Sequence, residues 1–115
     1  MPGGTLGGFR GSGGGRQLIL SQNKDRLDGG LSYLNLPQSI CNTARQLLPQ
    51  VVDAFGQAEV LMQVSPATVA AIIYIAARQE GRALSLGTAA SAMDVSGPEV
   101  YREFRWGRSF LHTPH

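Results

Sequence analysis

The sequence predicts an all-α domain that ends in a helix-turn-helix-like pair, and three observations carry that prediction. Between Pro37 and Phe55, the residues Ile40, Ala44, Leu47, Leu48, Val51, Val52 and Phe55 recur at three- and four-residue spacing, which lays one apolar stripe along a helix. The segment opened by Ser65-Pro66 is apolar around its whole circumference from Val69 to Ala77, a pattern that suits a helix surrounded by other helices. Two short capped helices then follow, separated by a tight turn.

Eight of the first fifteen residues are glycine, and Leu6 and Phe9 are their large apolar groups. Ordering such a segment costs backbone entropy for little burial, so residues 1–15 are expected to be a flexible tail. The segment lacks the Gly-Lys-Ser/Thr ending and the preceding strand of a phosphate-binding loop, and Gly8-Phe9-Arg10-Gly11 is a single unit, not an Arg-Gly-Gly repeat. From Arg16 to Leu36 the residues Leu18, Ile19, Leu27, Leu31 and Leu34 fit a first helix. It is expected to fray, because Gly29 and Gly30 each weaken it by about 1 kcal/mol relative to Ala. Asn35-Leu36-Pro37 ends it and puts a proline in the next first turn, where a missing N–H has no partner to lose. Pro49 removes a main-chain donor and crowds the carbonyl four residues earlier, so a kink or division of the second helix is expected near Leu48.

The central segment, Pro66 to Glu80, has Ser65 as N-cap and Gly81 as a left-handed residue after its end. These caps and the flanking alanines favour helix over a buried strand at Ile72-Ile73-Tyr74-Ile75. Ser85 caps Leu86 to Met93, with Leu86, Ala89, Ala90 and Met93 facing inward, and Asp94-Val95 turns the chain. Ser96 and Glu99 form a capping box, Pro98 sits in the first turn, and Val100, Tyr101 and Phe104 supply the apolar face of the last helix. The folded unit is expected to span residues 16–106, with 107–115 as a C-terminal tail.

At 115 residues the chain holds one domain, and its net charge of +2 neither requires nor prevents a nucleic-acid partner. No apolar run approaches the roughly 20 residues that cross a bilayer, so no membrane partner is expected. The start Met1-Pro2-Gly3-Gly4 lacks the basic cluster and apolar run of a secretory signal, which suggests an intracellular chain. The single cysteine, Cys41, supplies neither a disulfide nor paired metal ligands and reads as an inert buried thiol. His112 and His115 lie too near the chain end to hold a metal unaided. Tyr74 reads as a core residue with a satisfied hydroxyl. Acidic residues are dispersed, and no Ser/His/Asp set converges on one face. The expectation is a protein without catalytic, metal or cofactor sites, and therefore not an enzyme.

Leu34-Asn35-Leu36-Pro37, Ser65-Pro66-Ala67-Thr68-Val69-Ala70-Ala71, Tyr74-Ile75-Ala76-Ala77-Arg78-Gln79-Glu80-Gly81, and Val95-Ser96 with Glu99-Val100 and Arg102 together resemble one repeat of the general transcription factor IIB family. The similarity covers about residues 31 to 104, and Tyr74 to Gly81 is its most specific part. It implies a five-helix cyclin-like fold with an all-apolar central helix. It also implies a nuclear module that bridges TATA-binding protein, promoter DNA and RNA polymerase. Full-length members carry a zinc ribbon and two repeats, so this chain looks like an isolated or truncated first repeat. Two places that are often basic in the family read Leu61-Met62-Gln63-Val64 and Gly97-Pro98 here, which implies fewer phosphate contacts. Pro49 and Gly87 are also unusual in such a domain.

The candidate DNA-binding residues are the remaining basic ones near helix ends: Arg78, Arg82, Arg102, Arg105 and Arg108. Trp106 and Tyr101 are candidate anchors of a protein interface. The plainer reading of the same residues is a solvated face partly neutralised by Glu99 and Glu103. Three functions compete: a transcription-initiation module that contacts the DNA backbone, a protein-only cyclin-like scaffold, and a small helix-turn-helix regulator. The last is disfavoured, because only Tyr101, Arg102 and Arg105 are placed to reach bases and no dimerisation segment is evident.

Overall fold

A central helix touched by four others organises the protein. The structure, a computed structural model, describes residues 7–57 and 64–111, with side chains over 16–57 and 64–105. It contains α1 (Gly7–Leu34), α2 (Gln38–Gln57), α3 (Pro66–Gln79), α4 (Leu86–Ala92) and α5 (Gly97–Leu111), and the described residues form no strand. The fold is therefore an all-α five-helix domain.

Helix α3 packs against each of the other four helices. Val69, Ile73 and Ala76 have no solvent exposure and Ile72 has 1%, as expected for a helix that is apolar all round. Fully burying a Val or Ile side chain stabilises the fold by about 1.5–3 kcal/mol relative to leaving it in water, so each of these residues adds to cohesion. Tyr74 is the exception within the stretch, since it is only half-buried. The α2 stripe faces the same core: Ile40, Ala44, Leu47, Leu48, Val51, Val52 and Phe55 are all buried. Cys41 is buried too, with Sγ 3.7 Å from the Leu36 carbonyl.

The helix ends explain themselves from sequence. Ser65 caps α3: its hydroxyl accepts from the Thr68 N–H, and its own N–H donates to Thr68 Oγ1. Ser85 accepts from the Thr88 N–H at α4. Ser96 and Glu99 exchange the reciprocal bonds of a capping box at α5. At the other ends α1, α3 and α4 close with one motif. A left-handed residue, respectively Asn35, Gly81 and Asp94, has φ of 55°, 77° and 56°. The N–H of the residue after it reaches back to the carbonyl five positions earlier: Leu36 to Leu31, Arg82 to Ala77 and Val95 to Ala90. This satisfies carbonyls that the helix leaves without partners.

Several expectations are revised. Helix α1 starts at Gly7 and α5 runs to Leu111, past the boundaries anticipated at residues 16 and 106, as a helix already nucleated in its packed part propagates at one bond per residue. The rest of the expected tails, residues 1–6 and 112–115 with His112 and His115, lies outside the described residues. Pro49 does not divide α2, which is continuous from Gln38 to Gln57. Buried residues on both sides of the proline outweigh the roughly 3 kcal/mol that it costs a helix. Leu18 is 59% exposed and Tyr101 48%, so neither joins the core. Gly30, expected only to weaken α1, has a packing role: a Cβ there would collide with the Met93 methyl and press on Ile73 Cδ1. Its absence lets α1 approach α3 and α4, whereas Gly29 faces open space.

Candidate functional site

The same local pattern, tyrosine followed four residues later by arginine, occurs on α3 as Tyr74 and Arg78 and on α5 as Tyr101 and Arg105. On a helix that spacing stacks the two side chains on one face. The two helices bring the pairs together around Phe104. The Tyr74 and Phe104 rings meet edge to face at 5.1 Å, and Tyr101 lies 6.2 Å from Phe104. The Arg78 guanidinium sits 5.6 Å from the Tyr74 ring centre and 5.9 Å from that of Phe104, and it donates to the Tyr74 hydroxyl at 3.2 Å. The Arg105 guanidinium lies 6.0 Å from the Tyr101 ring centre. The Tyr74 hydroxyl is thus satisfied, as expected, though by an exposed partner and not inside the core.

These contacts orient the cations without neutralising them. Cation–π attraction at an exposed site contributes about 0.5–1 kcal/mol, enough to bias a rotamer, and it leaves the full positive charge on the guanidinium. Arg78, Arg82, Arg102 and Arg105 are all exposed, and among the described residues none has a carboxylate within 4.0 Å. The acids expected to partly neutralise this face, Glu99 and Glu103, are held by hydrogen bonds and form no ion pair with its arginines within 4.0 Å among the described residues. Glu103 Oε1 accepts from Thr68 Oγ1 at 3.0 Å, a brace between α5 and α3. Glu99 accepts from the Ser96 N–H and hydroxyl. These hydrogen bonds, the backbone one foremost, hold the Glu99 carboxyl below its ordinary value, with a smaller contribution from the charge of Arg102.

Of the sequence-predicted residues, the fold brings Arg78, Tyr101 and Arg105 into one cluster. Arg102 is exposed on α5 beside it, and Arg82 follows the left-handed Gly81 at the end of α3. Trp106 and Arg108 lie on α5 beyond the residues whose side chains are described. Reading the sequence for basic residues alone misses Tyr74 and Phe104, the aromatic floor. The repeated tyrosine–arginine spacing is the signal that would find them. Glu80, tied by Thr43 Oγ1 at 2.8 Å, links α3 to α2 and stands apart from the cluster. No group of three or more His, Cys, Asp or Glu gathers among the described residues, and no helix there is long and apolar enough to cross a membrane. Comparison of the chain with protein-family models and with curated proteins finds no match.

Proposed function

We propose that this chain is a nuclear, cyclin-like module of the transcription factor IIB kind. In this reading it docks on TATA-binding protein and on the sugar-phosphate backbone of promoter DNA during assembly of the preinitiation complex that recruits RNA polymerase. The observation that carries the reading is the α3–α5 face. Two oriented guanidinium groups that form no ion pair among the described residues stand over aromatic rings there, and one of the pairs, Tyr74 and Arg78, falls in the stretch that most resembles the family. Guanidinium forks match phosphate oxygens, and Arg82 and Arg102 add charge nearby. Such contacts position a protein on a duplex without reading its bases, and a chain with net charge +2 would rely on TATA-binding protein for much of its affinity.

The test is a fluorescence-anisotropy titration of a promoter duplex across a range of salt, with and without TATA-binding protein. Arg78→Ala with Arg105→Ala is expected to weaken binding by a similar factor for every DNA sequence and to reduce the salt slope by about 0.9 for each phosphate no longer neutralised. An unchanged slope would favour the second reading, a protein-only scaffold. That alternative is supported by the exposed Tyr101 beside arginines, since tyrosine and arginine are common anchors of protein interfaces.

A further inference from the structure

The aromatic rings of the α3–α5 face differ in what the fold leaves open. Phe104 is 8% exposed and meets Tyr74 edge to face, and Tyr74 is half-buried with its hydroxyl bonded to Arg78. Tyr101 is 48% exposed, and its hydroxyl makes no hydrogen bond among the described residues. Folding uses the first two rings and leaves much of the third in solvent.

The surface around Tyr101 is cationic. Arg102 follows it in sequence, and the Arg105 guanidinium, one turn on, lies 6.0 Å from its ring centre. Arg78 reaches in from α3 to 5.9 Å from the neighbouring Phe104 ring. Arg78, Arg102 and Arg105 form no ion pair among the described residues. The core of a protein interface is depleted of charge, whereas a single-strand-binding surface combines exposed aromatic rings with cations that follow the phosphates. Tyr101 has the second kind of surroundings.

Base pairing decides which form of nucleic acid an exposed ring can serve. In a duplex the base faces are closed by their neighbours, so a duplex offers phosphates to the arginines and nothing to the ring. An unpaired base has an open face, and its stacking on an aromatic side chain tolerates any sequence because every base has a π-face.

We infer, on the reading that this face contacts DNA, that Tyr101 is a stacking platform for an unpaired base. The α3–α5 face then holds a DNA segment whose strands have parted through one base on the open part of the Tyr101 ring, with Arg102 and Arg105 on the flanking phosphates. Duplex engages the arginines alone.

Fluorescence anisotropy of the full chain at low salt, where phosphate contacts are strongest, compares probes of equal length: single-stranded oligothymidylate, an abasic strand with the same phosphates, and oligothymidylate paired with oligoadenylate. The base-bearing strand is expected to bind about tenfold more tightly than the abasic one, within the range that stacking one base on an aromatic ring supplies. Tyr101→Ala is expected to abolish that factor and to leave the abasic strand and the duplex bound as before, which separates loss of the ring from loss of the fold. Tyr101→Phe is expected to keep the factor. Equal binding of the base-bearing and abasic strands, an undiminished factor in Tyr101→Ala, or an equal loss for the duplex in that variant would each overturn the assignment, and the last would make Tyr101 a general contact. Tighter binding of oligouridylate than of oligothymidylate would overturn it in favour of RNA. In all these outcomes binding that falls with salt leaves the backbone contact of this face standing. Absence of salt-dependent binding to every probe would defeat that contact, and the stacking role with it.

Discussion

The two helix pairs of this domain handle their arginines in opposite ways. Between α1 and α2, Arg16 and Arg45 each face an aspartate, so their charge is compensated within the fold. Between α3 and α5 the cohesion includes Phe104, the Tyr74 ring and the Thr68–Glu103 hydrogen bond, while Arg78 and Arg105 lie over rings and form no ion pair among the described residues. The difference separates structural charge from charge left available to a partner. A count of arginines along the sequence makes no such distinction, because it depends on where the nearest acid is held.

Removing the aromatic floor is expected to have the largest effect. Phe104→Ala is expected to destabilise the domain by about 3–5 kcal/mol, since Phe104 is 8% exposed and the change opens a cavity against α3. Chemical denaturation measures it, and a loss below about 1 kcal/mol would mean that α5 is held by something else. Replacing both paired aspartates, Asp28→Asn with Asp53→Asn, is expected to cost no more than about 1 kcal/mol per pair and to matter less in high salt, because exposed ion pairs are weak. The smallest expected effect is a pH dependence at α5. Glu99 has a folded value held below the usual carboxylate range, so its contribution is complete above about pH 4.3, the ordinary carboxylate value, and is lost as pH falls through the depressed value. Acid titration of thermal stability should show this component in the native protein and not in Glu99→Gln.

Much of the fold is legible in the sequence because it rests on local rules. The Ser65, Ser85 and Ser96 caps and the left-handed Gly81 are signals that need no tertiary partner, and the all-apolar stretch of α3 admits few environments other than the centre of a bundle. What escapes is set by contacts across helices. Gly30 reads as a flaw in α1 until Met93 and Ile73 are seen against it. Asn23, 1% exposed in mid-helix, gives no sign of burial in the sequence; its amide donates to the Ile19 carbonyl and its oxygen accepts from Arg26. Pro49 reads as a break because the buried residues on both sides of it count only once α2 is packed. For the site, the sequence supplies Arg78, Tyr101 and Arg105 but not their convergence, which depends on how α5 crosses α3. The hydrogen bonds that hold Glu99 to Ser96 and Glu103 to Thr68 are likewise not visible in the order of residues.

The proposed function requires that the α3–α5 face, and not basic charge in general, contacts the DNA backbone. The most direct test is charge reversal at each helix pair in turn, assayed on the promoter duplex bound to TATA-binding protein. Arg78→Glu with Arg105→Glu is predicted to abolish measurable association, while Arg16→Glu with Arg45→Glu, which changes net charge equally, is predicted to weaken it only slightly. Equal losses in the two double variants, or no loss in the first, would contradict the account.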